Sequence, residues 1–464
     1  MSDQLISAIR VQGLFGLYSY TLPKTGELSN ATILYGDNGL GKSTILRLAF
    51  HLLSASDSRG HRTALYETPF EKLEVDLASG LKLTASRISN PDQRVLELAV
   101  FKSEGPIAIW DYIPASLRKS ERSESDAYYL EMVELTPGKK TVLRKRKNSD
   151  LPFPSVPRGE NVYIRALKES SPAAFILNAD RRLDSDEVPD PSDEIELRRL
   201  FNFQEPKRIN DLVVRSREIA LSQALSNAAR WIGRKAVQGS NRGSMNVHSA
   251  YGNVLRHLVA PVSAKNKSTE VIDINSLLGR LTTIETKTNE FSRYELETPL
   301  SMAEFKKALG ARAQTKRELA ANLLEPYVRS LEGRNEALDP IYRIIDQFIK
   351  IVNGLLQDKS IKFDLSHGFS IANRLGTPLE PSQLSSGEQQ LLLLFCYVLT
   401  ARDKSSVFMI DEPEISLNIK WQRQLIQSLL DITSNSNIQF IFASHSLELL
   451  TQHKSRVVKL EKQV

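Results

Sequence analysis

The chain has 464 residues, 41% hydrophobic and 25% charged, the balance of a globular protein long enough for two or three domains and not of a fibrous or disordered one. Its net charge of +6, from 61 basic against 55 acidic residues, is too mild to require a nucleic-acid partner. Cys396 is the single cysteine, which allows no internal disulfide, and the longest apolar run, residues 391–399, is far short of a bilayer; with no secretory leader read at the N-terminus, a cytoplasmic location is expected.

Residues 1 to about 101 read as strands around one helix. Ile33, Leu34 and Tyr35 make an apolar strand that runs into Gly36-Asp37-Asn38-Gly39-Leu40-Gly41-Lys42-Ser43. Ile45, Leu46, Leu48, Ala49, Leu52 and Leu53 then follow at helical spacing. A glycine loop between a strand and a helix is the setting a Walker A motif needs. Glycines 36, 39 and 41, with Asn38 between them, allow backbone N–H groups to encircle phosphates at a helix N-terminus. Lys42 is expected to reach the β- and γ-phosphates of ATP, Ser43 to ligate Mg²⁺, and Thr44 to support the α-phosphate. Alternation returns over residues 73–77 and 81–85, with Ser79-Gly80 as the turn.

Residues 103–160 read as a polar, proline-punctuated, loop-rich insertion. It carries the basic cluster Lys139, Lys140, Arg144, Lys145, Arg146 and Lys147, which suits either a solvated loop or phosphate contacts. Phe175, Ile176 and Leu177 make another buried strand, ending at Asn178-Ala179-Asp180-Arg181, and an acidic stretch from Asp184 to Glu196 follows. From about 192 to 358 the pattern is helical. Leu221, Leu225, Ala228 and Ile232 form one stripe; Ile341, Ile345, Phe348, Val352 and Leu355 form another, spaced 4-3-4-3. The heptads break within a few turns, which predicts a short helical arm or bundle. No internal repeat is found.

Strands resume over residues 361–365 and 369–371, and the remainder reads as α/β. Leu384-Ser385-Ser386-Gly387-Glu388 opens an apolar helix. Serine hydroxyls and the glycine N–H there form an anion site, and Ser385 to Glu388 also has the spacing of a capping box. Val407-Phe408-Met409-Ile410 is a buried strand ending in Asp411 and Glu412, as a Walker B motif requires: Asp411 for Mg²⁺ and Glu412 as the general base for an attacking water. His445 ends a further strand, Phe440-Ile441-Phe442-Ala443, with serine on either side.

In this order, the four motifs resemble the ATP-binding-cassette heads of the SMC, RecF and OLD families. The resemblance implies an α/β P-loop head split by a helical insert: a first lobe over 1–181, the insert over 182–360 and a second lobe over 361–464. It implies that Ser385, Ser386, Gly387 and Glu388 complete the ATP site of another copy, so that the chain is a homo-oligomer, and that His445 contacts the γ-phosphate. Pro413-Glu414-Ile415-Ser416-Leu417-Asn418 looks like the D-loop, with Asn418 where many relatives have histidine. Gln93, Asn178 and Asp180 are candidates for the glutamine that senses Mg²⁺. A transporter subunit would be near half this length and would lack the insert. Only residues 446–464 follow His445, too few for the Toprim nuclease of an OLD protein, so any nuclease is expected to act in trans. The Phe15-Gly16-Leu17-Tyr18 segment, the signature loop and the layout resemble the ATPase subunits of the PARIS and Septu anti-phage systems. This implies ATP hydrolysis that holds and releases a separate Toprim-type nuclease when a phage protein, often a DNA mimic, is sensed. The alternative is a RecF-like repair ATPase acting directly on DNA.

Overall fold

The computed structural model describes residues 4–461 apart from 57–58, 90–93, 116, 118–127, 134–141, 148–157, 180–182, 187–217, 242–251, 253–272, 311, 416 and 418. The chain divides into two compact units, one of residues 1–190, 401–426 and 433–464, the other of residues 191–400 and 427–432. In chain order come β1 (Ile6–Leu14), β2 (Tyr18–Leu22), β3 (Ala31–Tyr35), α1 (Lys42–Leu53), α2 (His61–Glu67), β4 (Lys72–Leu77), β5 (Lys82–Ser89), β6 (Arg94–Lys102) and β7 (Gly105–Tyr112). Next are β8 (Tyr128–Val133), β9 (Val142–Lys147), α3 (Glu160–Ser170), β10 (Ala173–Leu177) and β11 (Leu183–Ser185). The second unit holds α4 (residues 218–241), α5 (Ile274–Ser292), α6 (Ala303–Leu309), α7 (Gln314–Leu355), β12 (Lys359–Asp364), β13 (Gly368–Asn373) and α8 (Ser386–Thr400). Then follow β14 (Ser406–Asp411), α9 (Ile419–Ile432), β15 (Ile438–Ser444), α10 (Leu447–Gln452) and β16 (Val457–Lys459).

The first unit holds the β8–β9 hairpin and two six-stranded sheets. One is antiparallel, in the order β2-β1-β4-β5-β6-β7; the other runs β11-β10-β14-β15-β3-β16 and is parallel from β10 to β16. Every residue of β14 and β15 is buried, which is why both read as continuous apolar runs instead of alternating ones. Phe175 and Phe408 stack across this sheet with ring centroids 4.4 Å apart, and Phe440 meets Phe408 at a tilt with centroids 5.7 Å apart. Helix α1 buries Ile45, Leu46, Leu48, Ala49, Leu52 and Leu53 in the core that both sheets share. Gln439 in β15 is fully buried and fully paired. Its Oε1 accepts from the Leu5 and Ile6 N–H groups, and its Nε2 donates to Ile6 O and Ser29 O.

Part of the loop-rich expectation fails: β7 and the β8–β9 hairpin lie within residues 103–160. Arg144, Lys145, Arg146 and Lys147 fall on β9, whereas Lys139 and Lys140 lie outside the described residues. The helical expectation also needs correction in length. Helix α7 runs unbroken for 42 residues through Pro326 and Pro340, about 63 Å at 1.5 Å per residue. It packs parallel to α5, because polar pairs advance together one heptad at a time: Arg280 with Glu332 and Lys287 with Asp339 between the helices, then Tyr294, just past the end of α5, with Asp346. Beside these pairs, Leu277, Leu281, Ile284, Thr288 and Phe291 make a buried 4-3-4-3 seam on α5.

A histidine pair, His61 buried and His51 partly buried, closes the turn between α1 and α2. The Nδ1 atoms of His51 and His61 are 2.9 Å apart, one ring donating and the other accepting, and His61 Nε2 lies 3.2 Å from Asp186. Burial, then the charges of His61, Arg47 and Arg62, push the His51 imidazole down to about 3, with Asp186 opposing them. The unfolded chain therefore takes up this proton near pH 6.5 and the folded chain only near 3. The stability this histidine contributes is complete above pH 6.5 and lost as pH falls toward 3. Between pH 7 and pH 5, the melting temperature of the parent should fall by several degrees more than that of His51→Gln.

Candidate functional site

The parallel register decides where the site lies. Asp411 is level with Ala443 and Ser444 with Tyr35, so the segments that leave β14, β15 and β3 all leave from one edge of the sheet. Ligands of open α/β sheets bind outside such carboxyl ends. The loop after β3 reaches α1 through Gly39 and Gly41, both at φ 83°, a conformation that side chains strain. A Cβ on Gly41 would sit 2.8 Å from Leu14 Cδ2. Gly36 is buried, whereas Asn38 and Gly39 are exposed; Ser43 and Thr44, in the first turn of α1, are partly buried.

Residues far apart in sequence meet here. Ser43 Oγ donates to Asp411 Oδ1 at 2.8 Å. Lys42 is 5% exposed, and its Nζ donates to Gly36 O at 2.7 Å and Asp37 O at 3.1 Å, with His445 Nδ1 3.3 Å away. His445 Nε2 is 3.8 Å from Glu412 Oε1. Burial holds Lys42 below the ordinary lysine value against the opposing pull of Glu412, Asp411, Asp37 and Glu414. It lifts Asp411 above the ordinary aspartate value, opposed by the Ser43 hydrogen bond. Glu412 has φ 47°, strained for a side-chain-bearing residue, and its N–H donates to Ala443 O at 2.8 Å. That kink turns the chain as soon as it leaves β14. Ser43 and Asp411 are hard oxygen donors held side by side, which fits Mg²⁺.

Sequence reasoning placed Glu414 only in the D-loop, and its structural role is larger. Its Oε1 accepts from Ser444 Oγ, the His445 N–H and the Ser446 N–H at 2.8, 2.8 and 3.1 Å. It therefore fixes the backbone that carries His445. Phe15 is marked in the sequence only through the resemblance of the Phe15-Gly16-Leu17-Tyr18 segment. It lies in the turn between β1 and β2, at φ 56° and 42% exposed, and its Cε2 lies 3.7 Å from the position of a Cβ on Gly41. An aromatic face beside a phosphate loop is a signal that the sequence carried but spacing alone could not locate. Asn178 follows β10, partly exposed; Gln93, Asp180, Arg181, Ser416 and Asn418 lie outside the described residues.

The signature loop lies in the second unit. Ser385 N–H donates to Glu388 Oε2 at 2.7 Å and Glu388 N–H to Ser385 Oγ at 3.4 Å, a reciprocal capping box at the start of α8. Ser385 and Ser386 are exposed, and Gly387 and Glu388 are buried. The Glu388 carboxylate is turned inward onto Lys359, 2.7 Å away, so the exposed part of this loop is its two serines.

The family described as "AAA domain, putative AbiEii toxin, Type IV TA system" matches residues 31–451. Over 81 residues, 18% of this chain, the sequence is 36% identical to the molybdenum import ATP-binding protein ModC of Escherichia coli strain K12 and to that of Shigella flexneri. The matched stretch spans 22% of the length of each ModC. Among solved structures, the chain is similar to the Smc head domain with an extended coiled coil bound to the C-terminal domain of ScpA from Pyrococcus furiosus, at 12% identity and TM-score 0.35 over 99% of this chain and 94% of that one. It is also similar to the Smc head domain with a coiled coil and joint from Pyrococcus yayanosii, at 13% identity and TM-score 0.35 over 99% and 96%. No helix among the described residues is long and apolar enough to cross a membrane.

Gly41→Ala adds both a strained φ and a collision with Leu14. It should weaken binding of a fluorescent ATP analogue at least tenfold while the far-ultraviolet circular dichroism spectrum stays parental.

Proposed function

Because this chain belongs to that AAA-domain family and is a P-loop ATPase, we propose that it works as an ATP-dependent association switch. Two copies close when each holds ATP, and hydrolysis parts them. The observation that carries this reading is the capped, exposed Ser385-Ser386 pair at a helix N-terminus, an anion site. In the closed pair it meets the γ-phosphate held by the other copy.

The chemistry follows from the residues at the sheet edge. The loop from Gly36 to Gly41 and Thr44 hold the phosphates, and Lys42 and His445 offset charge that develops on the γ-phosphoryl group. Mg²⁺, held by Ser43 and through water by Asp411, would neutralise the phosphate oxygens. Glu412 takes a proton from the attacking water; the new bond forms at the γ-phosphorus as the bond to the bridging oxygen of ADP breaks. Phosphate and ADP leave. Phe15 supplies a stacking face for the adenine. The first lobe, insert and second lobe of this head take residues 1–181, 182–360 and 361–464.

The work done by the switch is control of a separate effector, which we assign to a Toprim-type nuclease released when a phage protein is sensed. The naming of a toxin–antitoxin toxin in the matching family supports a defence setting, as does the resemblance to the PARIS ATPase subunit. A DNA-mimicking trigger would suit a basic segment such as Arg144, Lys145, Arg146 and Lys147.

Glu412→Gln tests the switch. It should keep ATP affinity, lose at least a hundredfold in turnover, and sediment as a larger species with ATP but not with ADP. One mass with both nucleotides, or parental turnover, overturns the proposal. Phe15→Ala should weaken ATP binding about tenfold, the scale of one lost stacking contact, while leaving inhibition by tripolyphosphate unchanged.

A further inference from the structure

The capping box leaves one demand unexplained. Glu388 is a buried acid, its side chain 5% exposed, and one oxygen of it receives two donors: the Ser385 N–H and Lys359 Nζ, each at 2.7 Å. Burial alone would raise this carboxyl, yet Lys359 and Ser385 together hold it below the ordinary glutamate value. A carboxylate taken out of water needs such a partner; removing that partner costs far more than the pair contributes. The acid that shapes the serine pair is thus kept ionised by a residue of another element.

Lys359 is the first residue of β12, which is itself clasped by the long helix. Asn353, in the last turns of α7, accepts from the Ile361 N–H at 2.7 Å and donates to Ile361 O at 3.0 Å, so its amide covers both backbone groups of that residue. Asp358 adds a left-handed turn at φ 54°, and its carbonyl accepts from the Arg374 N–H at 2.8 Å, pinning the start of β12 against the end of β13. A second brace reaches the loop from its other side, where Gln389 Nε2 donates to Pro381 O at 2.8 Å. The contacts run without a gap: α7, Asn353, β12, Lys359, Glu388, Ser385.

We propose that Lys359 is a positioning residue for the signature loop, and that through it the helical insert sets whether Ser385 and Ser386 are presented to ATP. This rests on the reading that these serines meet nucleotide held by a second copy. Lys359 acts through Glu388, whose carboxylate its Nζ meets at 2.7 Å. Without it, Glu388 takes up a proton, its bond to the Ser385 N–H weakens, and the first turn of α8 frays. Glutamine can occupy this position of a capping box without a charge partner. The dependence on Lys359 should therefore vanish when residue 388 is neutral.

Four variants decide it, each compared in the Glu412→Gln chain: Lys359→Met, Lys359→Arg, Glu388→Gln and Lys359→Met/Glu388→Gln. Lys359→Met should bind a fluorescent ATP analogue like its parent, associate with ATP at least tenfold more weakly, and show faster amide hydrogen exchange over residues 385–388 without nucleotide. Lys359→Arg should restore both readouts, and the double variant, which buries no lone charge, should match Glu388→Gln alone. The exchange measurement needs no second copy. Parental exchange and parental association in Lys359→Met overturn the positioning role. If the Glu412→Gln chain itself ignores ATP while Lys359→Met still speeds exchange, the association reading fails and the positioning role stands.

Discussion

The hydrogen bond from Ser43 to Asp411 joins residues 368 positions apart, and the site depends on it. It forms because β3, β15 and β14 lie side by side and parallel, so loops that start far apart in the chain start at the same height. Shifting one strand by a residue would turn its side chains to the opposite face and separate Ser43 from Asp411. The register is held by burial on both faces of β14 and β15 and by the packed rings of Phe175, Phe408 and Phe440. Gln439 adds a polar lock, tying β15 to the first strand of the other sheet. Chemistry at one edge is therefore fixed by packing throughout the layer.

Electrostatics at that edge are poised for a polyanion. Lys42 is buried and caps two loop carbonyls, a ready position for a cation waiting for phosphate. Its neighbours Asp411, Glu412 and Glu414 differ in what they do. Asp411 receives the serine, Glu412 stands strained at the turn, and Glu414 is spent on the backbone around His445. Three carboxylates within four residues thus sit in three different environments, which the proposed mechanism uses as metal ligand, base and scaffold. In the second unit the same economy recurs: Glu388 shapes the loop and leaves two serines to present.

Much of this was legible in the chain because local conformation demanded it. Gly39 and Gly41 need positive φ, a buried parallel strand needs an unbroken apolar run, and an N-terminal cap needs Ser at one end and Glu at the other. Those requirements act over a few residues and leave a pattern. The structural roles of Glu414, Phe15 and Lys359 left no such local pattern, since each matters through a partner tens of positions away or through a backbone turn. Residues 103–160 read as loop because proline and charge outweighed alternation, yet β7 pairs along β6. Helix α7 exceeds its expectation because, upstream of the Ile341–Leu355 stripe, polar pairs of Glu325, Glu332 and Asp339 with α5 support it.

If one copy completes the active site of another, two separately disabled chains should repair each other. Lys42→Ala lacks the phosphate lysine but keeps the serines; Ser386→Arg blocks the serines but keeps the phosphate loop. The measurement is ATP turnover by each chain alone and by an equimolar mixture. The account predicts silence from each and recovered turnover in the mixture. Parental turnover by Ser386→Arg alone would contradict it, because the site would then need no second copy.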